Sequence, residues 1–206
     1  MPNRGAWVFV VDDDCRFLSA LERLLSNKGY RVAAFTSPAQ FLDQHDPELH
    51  GCLLLDLHMA ELNGFEVQFR LSAAGKPRPV IFMTGTDYAV VAVTAIKAGA
   101  YDYLVKPVGA DALLETVQGA IEADKARLKE QSELSELKDL WQFVTDREQE
   151  VFWHVVNGRL NKQIAHEMHI TEKTVKVHRA HMMRKLKARS LAGLVHMARH
   201  IQPLCQ

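Results

Sequence analysis

Four positions in this chain carry a polar group directly after a short run rich in apolar residues. Asp12 and Asp13 follow Trp7–Val11, Asp56 follows Cys52–Leu55, Thr84 follows Pro79–Met83 and Lys106 follows Tyr101–Val105. Carboxylates brought together repel, and each raises the others' pKa unless a cation intervenes. A hard divalent ion such as Mg2+ suits an all-oxygen set of this kind. With that ion bound, one carboxylate can attack an incoming phosphoryl group, a step that needs mainly positioning and charge neutralisation. Asp56 is the candidate acceptor. Lys106 would add a positive charge, and the Thr84 hydroxyl would donate a hydrogen bond to a phosphoryl oxygen. Singly, each of these residues reads as a loop, cap or turn. Together they occupy the carboxyl ends of separate apolar runs, the edge at which open parallel sheets bind ligands.

Trp7–Val11 and Cys52–Leu55 read as strands buried on both faces, with Arg31–Phe35, Pro79–Met83 and Tyr101–Val105 as further strands. Helical periodicity separates them. Phe17, Leu18, Leu21, Leu24 and Leu25 recur at helical spacing from Cys15 to Lys28, and Gly29 closes that helix. Ser37-Pro38 is an N-cap with Pro at the first helical position. Further helices start near Gly64 and span Tyr88 to Ala98 before Gly99. Five strands alternating with helices predict a doubly wound α/β parallel sheet.

The 206 residues leave room for a second unit, and charge marks where it lies. Residues 1–140 carry 14 Lys/Arg and 20 Asp/Glu, a net of −6; residues 141–206 carry 11 and 5, a net of +6, with seven of the ten histidines. A basic back part points to a polyanionic partner. No apolar stretch is long enough to span a bilayer, and Met1-Pro2-Asn3-Arg4-Gly5 lacks the apolar run of a signal peptide. Cys15, Cys52 and Cys205 show neither metal-ligand spacing nor a disulfide framework, so the expected location is a reducing cytoplasm.

From Asp111 the helical pattern continues through Leu114, Ile121 and Leu128 and on to about Lys138 with no Pro. One long helix is predicted. Asp124, Gln131 and Lys138 fall at the partner positions of the heptad, which favours an exposed semi-rigid spacer over a coiled coil. Beyond it, Thr145-Asp146-Arg147-Glu148 is a capping box opening a helix that buries Val151, Phe152, Val155 and Val156. A short helix, Lys162 to Met168, meets a tight turn at His169-Ile170-Thr171. A longer helix follows from about Glu172 to Leu186, with Lys173, Lys176, Arg179, Arg184 and Lys185 expected outward. Ser190 caps a last helix. Short helix, turn and longer basic helix make a helix-turn-helix.

Two resemblances attach to these motifs. The stretch from Val8 to about Ile121 resembles a response-regulator receiver domain. The resemblance rests on Val10-Val11-Asp12-Asp13-Asp14, Leu54-Leu55-Asp56-Leu57-His58-Met59, Leu62-Asn63-Gly64, Met83-Thr84-Gly85, Ala98-Gly99-Ala100-Tyr101-Asp102-Tyr103-Leu104 and Lys106-Pro107. It implies a flavodoxin-like fold and phosphorylation of Asp56 by a sensor histidine kinase. It implies Mg2+ held by Asp13, Asp56 and the backbone carbonyl of His58, with Asp12 acting through water. It also implies Thr84 and Tyr103 as a switch pair. Ala60 stands where that family usually has Pro, and Thr86-Asp87-Tyr88-Ala89-Val90 departs from the commoner His-Gly-Asp-x-Pro, so no dimer geometry is carried over.

The back part, about Val144 to His200, resembles the LuxR-type four-helix DNA-binding domain. That resemblance rests on Thr145-x-Arg147-Glu148, Asn161-Lys162-Gln163-Ile164-Ala165, Thr174-Val175-Lys176-Val177-His178-Arg179 and Arg184-Lys185-Leu186. It implies that Lys176 and Val177 face base edges and that Lys162, Thr174 and Lys185 contact phosphates. Lys173 and Arg179 complete the candidate DNA-binding set. Ala180 replaces a residue that is often polar, which narrows base readout or shifts it to Arg179.

The whole chain thus resembles the NarL/FixJ class of two-component response regulators. The expected organisation is a receiver over 1–121, a helical linker over 122–140 and an all-α helix-turn-helix domain over 141–206. The expected partners are double-stranded promoter DNA, a sensor histidine kinase, a second copy of the chain after phosphorylation, and RNA polymerase as a further candidate. No membrane and no turnover of a separate substrate are expected. Two alternatives stay open: a DNA-binding regulator that works without phosphorylation, and an α/β enzyme whose basic tail is a docking surface.

Overall fold

A computed structural model describes residues 5–46, 48–75, 77–85 and 89–201, with the backbone alone at 89–91. The departure at Thr86-Asp87-Tyr88 and the third cysteine, Cys205, lie outside the described residues. The chain forms two compact units, 1–128 and 129–206.

The first unit is a parallel sheet of β1 (Trp7–Val11), β2 (Arg31–Phe35), β3 (Gly51–Asp56), β4 (Val80–Thr84) and β5 (Asp102–Val105), in the order β2-β1-β3-β4-β5. Around it stand α1 (Cys15–Asn27), α2 (Pro38–Gln44), α3 (Gly64–Ala73), α4 (Ala89–Lys97) and the start of α5 (Ala110–Gln142). Side chains alternate across a strand, so each apolar run feeds two cores. Val8, Val10, Cys52, Leu54, Ile81 and Met83 pack against Leu18, Leu21 and Leu25 of α1 and Leu113, Val117 and Ile121 of α5. Phe9, Val11, Leu53, Leu55 and Phe82 face the other way, onto Phe41 of α2, Val67 and Leu71 of α3 and Ala95 of α4. That is why these strands read as continuous rather than alternating hydrophobic segments. All six residues of β3 are buried.

The strands lie in close register, so their carboxyl ends share one edge. Val11 pairs with Leu55, Asp56 with Met83, and Thr84 with Val105. The chain order reverses between β1 and β3, which opens the crevice where such sheets bind ligands. Gly64 begins α3 directly against this edge. A Cβ there would lie 2.8 Å from the Asp56 carbonyl oxygen and 2.8 Å from the Phe82 ring, so only glycine permits the approach.

The expected long helix is longer than the sequence pattern suggests, because α5 runs unbroken from Ala110 to Gln142. Nor is it an exposed spacer throughout. Leu137 and Trp141 enter the core of the second unit, and Asp124 is buried in the first. Asp124 accepts hydrogen bonds from the Gly51 amide at 2.9 Å and His50 Nδ1 at 2.9 Å, while its other oxygen pairs with Arg127 Nη2 at 2.8 Å.

The second unit packs the end of α5 with α6 (Asp146–Val156), α7 (Asn161–Glu167), α8 (Glu172–Lys185) and α9 (Leu191–Ile201). Its core is Trp141, Val151, Phe152, Val155, Ile164, Val175, Met182, Leu186, Leu194 and Ile201. The expected capping box forms: Thr145 Oγ1 accepts from the Glu148 amide at 3.4 Å and Glu148 Oε2 from the Thr145 amide at 2.9 Å. The short helix expected from Lys162 starts one residue earlier, at Asn161, with Leu160 at its N-cap position. The turn between α7 and α8 uses His169 in the left-handed region, at φ 55°.

Candidate functional site

The edge of the sheet brings together the residues singled out by the strand-end pattern. Asp12, Asp13 and Asp56 offer carboxylate oxygens that all lie within 4.8 Å of one another. Asp12 and Asp56 are buried, while Asp13 is exposed. Lys106 reaches into the group from the end of β5. Its Nζ donates to Asp12 Oδ2 at 2.5 Å and to Asp56 Oδ1 at 2.9 Å, and lies 4.4 Å from the Phe17 ring centroid. The remaining Asp56 oxygen accepts from the His58 amide at 3.1 Å, and Asp12 Oδ1 from the Asp14 amide at 3.0 Å.

Three carboxylates against one ammonium leave an excess of negative charge. Desolvation raises the Asp12 carboxyl above its usual range, more than the Lys106 hydrogen bond and the Asp14 amide lower it. Burial alone would lower the Lys106 ammonium, but its bonds to Asp12 and Asp56 hold it above its ordinary value. An all-oxygen donor set with uncompensated charge and an open, exposed member in Asp13 fits a hard divalent cation.

Thr84 ends β4 fully buried, with its hydroxyl 3.4 Å from His58 Nδ1. The His58 imidazole therefore touches this site, although the sequence reading gave its side chain no role. Tyr103 is part-buried in β5 against the α2–α4 core. The Phe17 ring beneath Lys106 was also missed; its helical spacing marked it only as core.

On the second unit, Lys162, Lys173, Lys176 and Val177 are exposed and Thr174 is half-buried. The last two cations of the candidate set are engaged. Arg179 donates to Asn161 Oδ1 at 2.6 Å, joining α8 to α7. Lys185 donates to Glu148 Oε2 at 2.6 Å, and Glu148 is itself buried. Burial alone would raise the Glu148 carboxyl, yet the Lys185 ammonium and the Thr145 amide and hydroxyl together hold it below its usual range.

Residues 8–118 match the model of the response regulator receiver domain, and residues 142–198 match that of the bacterial regulatory proteins of the luxR family. The chain is a two-component response regulator. This response regulator is 38% identical to the response regulator protein TodT of Pseudomonas putida over 202 residues, covering 98% of this chain and 89% of TodT. It is 37% identical to the transcriptional regulatory protein FixJ of Azorhizobium caulinodans over 191 residues, covering 93% of this chain and 90% of that one. Among solved structures it is similar to response regulator StyR, at 39% identity and a TM-score of 0.81 over 95% of this chain and 98% of StyR. Full-length FixJ from B. japonicum aligns at 33% identity with a TM-score of 0.58, over 96% of this chain and 98% of FixJ.

The response regulator is of the NarL/FixJ class, with a receiver and a LuxR-type DNA-binding domain, and the family regulates transcription rather than turning over a substrate. The docking-tail enzyme alternative therefore falls. Among the described residues, no helix is long and apolar enough to cross a membrane.

Proposed function

We propose that this response regulator is switched by phosphorylation of Asp56 and answers by binding promoter DNA as a dimer. The observation that carries the reading is Lys106 Nζ bridging Asp12 and Asp56 beside Asp13, at the carboxyl edge of the sheet. Asp12, Asp13, Asp56 and the backbone carbonyl of His58 would hold Mg2+, which when bound would neutralise charge on the phosphoryl oxygens. Asp56 would accept the phosphoryl group from a sensor histidine kinase. Its Oδ1 is already oriented by Lys106, which would follow the negative charge onto the phosphoryl group. The Thr84 hydroxyl would leave His58 to donate to a phosphoryl oxygen, and Tyr103 would turn further inward behind it. The modification adds nearly two negative charges, enough to bias a bistable surface.

The working division is a receiver over 1–121, a helical linker over 122–140 and the DNA-binding domain over 141–206. In the last of these, Lys176 and Val177 would face base edges, with Lys162, Lys173 and Thr174 on phosphates. Arg179 and Lys185 would reach DNA only by leaving Asn161 and Glu148. A cytoplasmic location follows from a cytoplasmic duplex partner, and RNA polymerase is the natural further contact of a promoter-bound regulator.

The test is intact-mass analysis with a small phosphodonor and Mg2+. The wild type gains one phosphoryl group and Asp56→Asn gains none. Phosphorylated wild type then sediments as a dimer and binds a promoter fragment more tightly. A wild type that gains no mass, and binds DNA as well as the variant, would leave a regulator that runs without phosphorylation.

A further inference from the structure

The outward face of α8 is not uniformly basic. An α-helix turns 100° per residue, and Val175, Met182 and Leu186 fix the side that faces the core. Lys173, Val177, Ala180 and Arg184 fall opposite, and all four are exposed. Val177 stands 45% exposed. Along the axis this stripe reads cation, valine, alanine, cation. At 1.5 Å per residue the two apolar side chains are about 4.5 Å apart and the two cations about 16 Å apart. Arg179 lies off this stripe, nearer the core-facing side, and is tied to Asn161.

An isolated exposed valine is unremarkable on a protein surface. A valine and an alanine one turn apart, between cations, on the outward face of the second helix of a helix-turn-helix are different. In the major groove the base edges present donors, acceptors and a single apolar group, the C5-methyl of thymine. Val177 and Ala180 offer neither donor nor acceptor, so these two side chains gain nothing from guanine, cytosine or adenine edges and desolvate them without return. The end cations reach toward flanking phosphates, which fix register without reading sequence.

We propose that Val177 and Ala180 together form a methyl-reading patch, which selects duplexes with thymines at neighbouring steps in each half-site. The proposal rests on the DNA-binding reading above and adds the sequence class of its target. Lys176, on the flank of the stripe, supplies the polar contact beside it. Each buried methyl contributes about fourfold in affinity.

The test uses the full-length phosphorylated chain and a random duplex library, followed by replacement of each thymine of the selected duplex by deoxyuridine, which removes only the methyl group. Fluorescence anisotropy should show a loss of about fourfold at one or two positions per half-site and none elsewhere. The loss at one position should shrink in Val177→Ala and at the neighbouring one should vanish in Ala180→Gly, both of which alter exposed side chains. Tolerance of deoxyuridine everywhere, or a penalty that both variants retain, would overturn the methyl patch and leave DNA binding standing. Failure to select any duplex would overturn both.

Discussion

At the scale of single residues, the two ion pairs that matter most differ in what their loss would do. Asp12 is a carboxyl whose folded pKa is raised. Such a group binds its proton more tightly folded than unfolded. Its favourable contribution is present below the ordinary value of 3.8 and is lost as the pH rises through the folded value. Thermal unfolding of Asp12→Asn and wild type should therefore converge near pH ~3 and separate toward neutrality, with the variant gaining relative to wild type. A gap independent of pH would show that Asp12 is not the strained group. Glu148 has the opposite sign. Its folded pKa lies below 4.5, so its contribution is present above that value and lost as the pH falls through the folded one. Glu148→Gln should flatten the acid limb of the second unit's unfolding, followed by Trp141 and Trp153 fluorescence. Lys185→Met should cost about 1–2 kcal/mol by stranding Glu148, with little change in the salt dependence of DNA binding. Lys176→Ala should do the reverse, weakening specific binding while leaving the melting temperature within a degree or two.

At the scale of elements, Asp124 carries the clearest consequence. It closes the bottom of β3 by binding the Gly51 amide, and it holds Arg127 and His50. Asp124→Ala strands a buried amide and should destabilise the first unit by about 2–3 kcal/mol, measured by urea unfolding through Trp7, which pairs with Gly51 in the sheet. The strand-edge cluster was legible in the sequence because doubly buried strands must be continuously apolar, so polar residues ending them stand out. Asp124 was harder. As a heptad position it argued only against a coiled coil. Yet Leu113, Val117, Ala120 and Ile121 form the buried stripe of α5, and Asp124 continues it at the next turn. A carboxylate on an apolar stripe asks for a partner, and that was the available signal. The fate of Arg179 and Lys185 had no such signal, because a sequence displays charge but not the neighbour that neutralises it. Asn161 and Glu148 are 18 and 37 residues away along the chain.

At the scale of the whole molecule, the sequence separates an acidic front from a basic back at zero net charge. Binding to any duplex should therefore respond to salt as the back part alone would, not as a neutral protein. Raising the salt from about 50 to about 200 mM should cost at least tenfold in non-specific affinity, and a flat response would argue against the exposed lysines as phosphate contacts.

The last turns of α5 supply part of the second unit's interior, since Leu137 and Trp141 lie in its core. A fragment that starts at residue 141 loses Leu137, whereas one that starts at residue 129 keeps it. The shorter fragment should melt at a lower temperature, followed by circular dichroism. Equal melting of the two would show that Leu137 adds nothing to that interior.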